Sequence, residues 1–179
     1  MQKRGAIWIA AILYIAVGII VIAIIMGAAL PVVNKIKDKN TYIQTKEVLS
    51  VIDETIRTVA KEGPGSQREL NPLTIKSGRL NIIQNEDKIE WSMETNADLV
   101  EPGVKLKEGN LNIELSTTPQ VGKYIMKVHL IYDTIYDIKL NSQYQPPYQG
   151  TYTVLIKHTG QYSTIGPVSN VPLVEVTIK

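Results

Sequence analysis

Cysteine is absent from the chain, and so is phenylalanine. Without cysteine there are no disulfides and no thiolate metal sites, and the redox compartment cannot be read from this residue. Histidine is scarce, with only His129 and His158. No Asn-X-Ser/Thr triplet occurs, so N-glycosylation at that motif is not expected. Net charge is also small. Nineteen Lys and Arg against 17 Asp and Glu leave an excess of two. Lys3 and Arg4 supply that excess, and the rest of the chain is balanced. A balanced chain offers no basic footprint for nucleic acid and no strong field to steer a charged partner. No repeat or low-complexity tract is visible.

What is present is a long apolar run, Ala6 to Val33, with no charged residue in it. As a helix it would be about 42 Å long at roughly 1.5 Å per residue. That exceeds the roughly 30 Å hydrocarbon core of a bilayer. A secretory signal has an apolar region of only about 7 to 15 residues followed by a small-residue cleavage site. This run is longer, and no A-x-A site closes it. The helix therefore needs lipid around it, or equally apolar copies of itself.

Pro31 falls where apolar sequence gives way to polar, and it predicts a bend or a melted section of helix. Beyond it Tyr42, Thr45, Leu49, Ile52, Ile56 and Val59 recur at spacings of three and four, an a/d seam. Lys46, Glu47, Asp53, Glu54 and Arg57 fall outside the seam, while Val48 and Val51 widen the apolar face. Gly63-Pro64-Gly65 is a strong stop.

After Gly65 the period changes to two. Arg79 to Gln84 and Lys88 to Glu94 flank the turn Asn85-Glu86-Asp87, with Ile89, Trp91 and Met93 alternating. Val104 to Lys107 and Leu111 to Leu115 flank Glu108-Gly109-Asn110. From Tyr124 to Leu140 every even position except Thr134 is apolar, which predicts one long strand with a bend or bulge near Asp133-Thr134. Tyr152, Val154 and Ile156 continue the pattern, and Val174, Val176 and Ile178 end it. Gln143 to Gly150 reads as an extended, exposed, Pro- and Tyr-rich connection. The expected fold class is α+β: a long apolar-then-amphipathic N-terminal helix over 6–62, then an antiparallel β-sandwich over 66–179.

Chemistry is sparse. His129 and His158 read as solvated surface histidines, since nothing has metal-ligand spacing such as H-x-x-x-H. Asp133 and Asp137 could join further oxygens around calcium, but they read more simply as the wet side of a strand. Ser50, Ser66, Ser92 and Ser142 lack a G-x-S-x-G setting, and there is no phosphate-binding glycine loop. The tyrosines around Gln143 to Gly150 allow a stacking or sugar-binding surface, against the simpler account of edge-strand packing. The chain reads as a non-enzyme with no cofactor and no metal. Within the apolar helix Ala16, Gly18, Ala23 and Gly27 are small, and Ala23 and Gly27 form a small-xxx-small pair that permits close helix approach.

Lys3-Arg4-Gly5 followed by Ala6-Ile7-Trp8-Ile9-Ala10 resembles the class III leader of type IV pilin-like proteins, especially archaeal pilins and archaellins. The resemblance implies a leader over 1–5. It also implies cleavage between Gly5 and Ala6 by a membrane-embedded prepilin peptidase, with Lys3 and Arg4 as recognition charges. The mature helix would leave the membrane for a filament core, assembling through Trp8, Ala16, Gly18, Ala23, Gly27 and Pro31, while globular domains coat the outside. Implied partners are identical or related pilin subunits, the peptidase, the membrane assembly machinery and, before assembly, the membrane itself. Ala10 stands where bacterial pilins carry glutamate, and Trp8 where archaellins commonly have glycine, which favours an adhesive archaeal pilus. The absence of Cys removes the C-terminal disulfide loop of many bacterial pilins.

The implied location is an extracellular surface filament, reached from a cytoplasmic-membrane precursor. The alternative is a single-pass protein with Ala6 to Val33 as an uncleaved signal anchor and an extracellular β-domain with a binding role. Lys35, Lys37 and Lys39 beyond the run offset Lys3 and Arg4 before it, so charge would orient such an anchor poorly.

Overall fold

The structure, a computed structural model, describes residues 3–165 and 168–179, with the side chains of 3–7, 165, 168 and 169 outside that description. The chain divides into two compact units, Met1–Lys37 and Asp38–Lys179. A single helix, α1 (Lys3–Glu62), contributes to both. Proline lacks one backbone donor and crowds the preceding turn, yet the hydrogen-bonded helix runs unbroken through Pro31. The melted section expected there is not seen.

In the second unit all six seam residues are buried: Tyr42, Thr45, Leu49, Ile52, Ile56 and Val59. Val48 packs against this core, whereas Val51 faces out at 47% exposure. The helix stops as its residues dictate. Gly63 takes φ +88°, a left-handed cap that glycine adopts without a Cβ penalty. The Ser66 hydroxyl then donates to the Val59 carbonyl at 2.6 Å, beside the Gly63 N–H that also reaches it, and ties the next segment to the helix end.

Eight strands follow: β1 (Gln67–Ile83), β2 (Lys88–Thr95), β3 (Lys105–Glu108), β4 (Leu111–Thr117), β5 (Tyr124–Ile131), β6 (Asp137–Ser142), β7 (Tyr148–Ile165) and β8 (Val168–Ile178). They join in one hydrogen-bonded sheet of order β3-β4-β5-β2-β1-β7-β8-β6. Every pairing is antiparallel except β6 with β8, which is parallel. The architecture is thus α+β, a long apolar N-terminal helix and a mostly antiparallel sheet.

The sheet curls, and the chain's connectivity requires it. In a flat sheet β5 and β6 would lie five strand spacings apart, about 24 Å at roughly 4.8 Å each. Only Tyr132–Tyr136 connects them, and it is wound into a turn in which Ile135 and Tyr136 both donate to the Tyr132 carbonyl. Even fully extended such a link spans only about 20 Å. The edge strand β6 instead reaches the β1–β2 turn: Ile138 N donates to Asp87 Oδ1 at 2.7 Å and Leu140 N to Gln84 Oε1 at 3.1 Å. Residues near both ends of the sheet, Ile113 of β4 and Ile138 of β6, therefore share one buried cluster with Leu49 and Ile56 of the helix.

Two irregularities sit in β1 where it pairs with β7. Pro72 occupies the first register shift, a place where a missing backbone donor is tolerated. Gly78 occupies the second with φ +80°, and a Cβ there would lie 2.6 Å from Trp91 Cε2. That close approach lets the fully buried Trp91 indole donate to the Ser77 carbonyl at 2.9 Å. The edge strand β3 is short and carries exposed Lys105 and Lys107, which discourages further strand pairing.

The run from Tyr124 to Leu140 is not one bent strand but two strands at separate places in the sheet. Its alternation persists because Tyr132 and Tyr136, on either side of the turn, both point into the same core. The connection Gln143 to Gly150 is also not wholly exposed. Tyr148 opens β7 and is 1% exposed.

Candidate functional site

Every large apolar side chain from Trp8 to Ile36 is exposed, on all sides of the helix. Trp8 is 73% exposed, and Ala16, Gly18, Ala23, Gly27 and Pro31 are exposed as well. A Cβ added to Gly18 or Gly27 would meet nothing within 4 Å. The helix is long and apolar enough to cross a membrane. Leaving each such side chain in water costs about 1.5–3 kcal/mol relative to burial, a total on the order of tens of kcal/mol. A whole domain is stable by only about 5–15 kcal/mol. Such a surface is more stable against apolar surroundings than in water. The backbone of Lys3, Arg4, Gly5 and Ala6 belongs to α1, while their side chains lie outside the described residues.

In the second unit the polar groups are mostly committed to structure. Asp53, expected outside the helical seam, is 7% exposed. Its carboxylate accepts from Arg57 Nε at 2.9 and 3.0 Å, from Asn110 Nδ2 at 2.6 Å and from the Tyr132 hydroxyl at 3.0 Å. The Arg57 guanidinium also lies over the Tyr132 ring, 5.9 Å from its centre. Burial, followed by the neighbouring Asp53 charge, pushes the Tyr132 phenol far above its ordinary value, so it stays protonated and donates to Asp53. One helix carboxylate thereby holds the β3–β4 hairpin and the β5–β6 crossover together.

Asp87, at φ +45°, is buried between the β1–β2 turn and β6. Burial pushes its carboxyl up, with the Ile138 N–H opposing. The two histidines do not sit as solvated surface groups. His158 is 1% exposed, takes a hydrogen bond from Gly160 N on Nδ1 at 3.0 Å and stands edge-on to Tyr162 at 5.8 Å. Its even position on β7, shared with Val154 and Ile156, is the signal that places it inside. His129 lies on the outer face of β5, half-buried, and its Nδ1 has no partner. Burial, then the Lys88 ammonium, pushes this imidazole below its ordinary value, with Glu90 and Glu114 opposing.

Asp133 lies in the turn and Asp137 begins β6, so they do not share one strand face. Among the described residues no group of three or more His, Asp or Glu converges as a metal site. A groove of about 530 Å³ between α1 and the β3–β4 hairpin is bordered by Ile43, Val51 and Leu111 and by the Lys46–Glu108 ion pair. Around it no nucleophile is paired with a base.

No family model, curated protein or solved structure matches the chain.

Proposed function

We propose that the chain is a structural subunit of an extracellular type IV pilus-like filament, assembling through its N-terminal helix for surface attachment. The observation that carries this reading is the fully exposed apolar surface from Trp8 to Ile36. It follows directly on Lys3-Arg4-Gly5, residues that resemble a class III leader. An apolar helix with Gly18 and Gly27 open to close approach is suited to packing among copies of itself. In this reading a prepilin peptidase removes 1–5 on the cytoplasmic side, and the membrane holds the helix until neighbouring subunits replace the lipid. The sheet, curled so that its ends cover one core, serves as the equivalent of an antiparallel β-sandwich and forms the exposed face of the subunit. The protein acts without cofactor and catalyses nothing.

Electron microscopy of native cells, compared with cells lacking the chain, tests this. Thin filaments containing the chain, absent from the deletion, are the expected result. Detergent-extracted monomers with no filament in either preparation would support the competing single-pass anchor.

A further inference from the structure

The β6–β7 connection and the start of β7 carry a feature that filament assembly does not use. From Leu140 to Ile156 no residue is charged, in a chain where 20% of residues are. Within this neutral stretch three tyrosine rings stack edge to face. Tyr144 meets Tyr152 at 5.4 Å and 66°, and Tyr152 meets Tyr148 at 5.9 Å and 83°. Tyr148 is buried, Tyr152 is half-buried and Tyr144 stands 49% exposed, so the series rises from the core to the surface.

The backbone that carries the outermost ring is held in place. Ser142 Oγ donates to the Tyr144 carbonyl at 3.0 Å and accepts from Tyr144 N at the same distance. The Tyr148 hydroxyl also reaches the Tyr144 carbonyl, at 3.4 Å. The Tyr152 hydroxyl donates to the Gln149 carbonyl at 2.8 Å and accepts from Gln149 N at 3.2 Å, fixing the second ring. Around this shelf the side chains of Gln143, Gln145 and Gln149 are exposed. The carboxylate of the neighbouring strand, Glu175, is engaged by Asn141 Nδ2 at 2.9 Å.

We propose that Tyr144, backed by Tyr152 and flanked by Gln143, Gln145 and Gln149, forms a binding site for neutral carbohydrate. A sugar ring presents one face of C–H groups, which packs on an aromatic ring. Its rim of hydroxyls both donates and accepts, and amide side chains match it because each carries both functions. A tyrosine ring supplies rigid contact area at low entropic cost, and one whose backbone is already tied down and whose ring packs on the hydrogen-bonded Tyr152 costs less still on binding. The absence of charge along the segment gives an anionic or cationic ligand no counter-ion within it. The site stands on the β-rich unit and does not depend on assembly.

The test uses the full chain in a detergent without a sugar headgroup. Neutral hexasaccharides of glucose, mannose and N-acetylglucosamine serve as probes, followed by saturation-transfer NMR. Binding of at least one probe is expected. Tyr144→Ala should weaken it at least tenfold without moving the thermal midpoint, whereas Tyr144→Trp should retain it. Two results would overturn the proposal: no probe binding to the wild type, or equal binding by Tyr144→Ala. Loss of filaments in Tyr144→Ala together with no sugar binding by the wild type would assign the shelf to a contact between subunits instead. Filaments with no sugar binding would sink this site alone, and sugar binding without filaments would sink only the filament reading.

Discussion

At the scale of single residues, the polar groups that matter in the second unit are those read as solvated that the fold shields from water. His129 is the sharpest case. Its Nδ1 is buried without a partner, and its imidazole is held below the ordinary value by burial and by Lys88. A group whose folded value is depressed binds fewer protons in the native state than in the unfolded one. The neutral form therefore contributes stability that is full above the unfolded value of about 6.5, and that is lost as pH falls towards the lower folded value. Acidification from pH 7.5 to 5 should lower the thermal midpoint of the wild type more than that of His129→Gln; equal shifts would contradict this assignment. His158 was read as a solvated surface group, although its even position continues the inward series of Val154 and Ile156 and signals the burial observed. The partner that makes it a satisfied buried group, the Gly160 N–H, was not legible, because it depends on the local path of β7. Asp53 was illegible for a related reason. Spacing puts it beside the seam, and only the arrival of Asn110 and Tyr132 from distant strands makes burial tolerable there.

At the scale of elements, the helix stop at Glu62 and the extents of β2 and β4 were legible, whereas β1 begins twelve residues before the alternating stretch at Arg79, and β7 and β8 also start earlier than their patterns. The crossover between β5 and β6 was not legible. Period two reports which face a side chain takes but not which neighbour its strand finds, and Tyr132 and Tyr136 keep parity across the turn. What fixes the crossover is hydrogen bonding, from Tyr132 to Asp53 and from Ile138 to Asp87. Replacing Asp53 by Ala leaves Asn110 and the buried Tyr132 hydroxyl without their acceptor. The loss should be roughly 2–3 kcal/mol, less than for a fully buried pair because the Arg57 side chain can turn to water. Tyr132→Phe, which leaves Asp53 its other donors, should cost roughly 1 kcal/mol. Chemical denaturation of the full chain in detergent measures both, and an Asp53→Ala loss no larger than that of Tyr132→Phe would contradict the role given to the carboxylate.

At the scale of the whole molecule, the change of period after Gly65 suggested a division at the end of the helix, whereas the compact units divide within α1, between Lys37 and Asp38. An uncharged run longer than a bilayer core is too long for the core of a domain of this size, and the structure leaves its large apolar side chains exposed from Trp8 onward. In the proposed filament reading, the final surroundings of the run depend on whether residues 1–5 are removed as a leader. A retained Lys3-Arg4 would keep two side-chain charges at the end of the helix and favour its staying in the membrane, while cleavage before Ala6 would remove both. Mass spectrometry of the N-terminus, on protein recovered from filament fractions of its native cell, tests this most directly. The filament reading predicts a chain beginning at Ala6, and a chain still carrying Met1 to Gly5 in assembled material would contradict it.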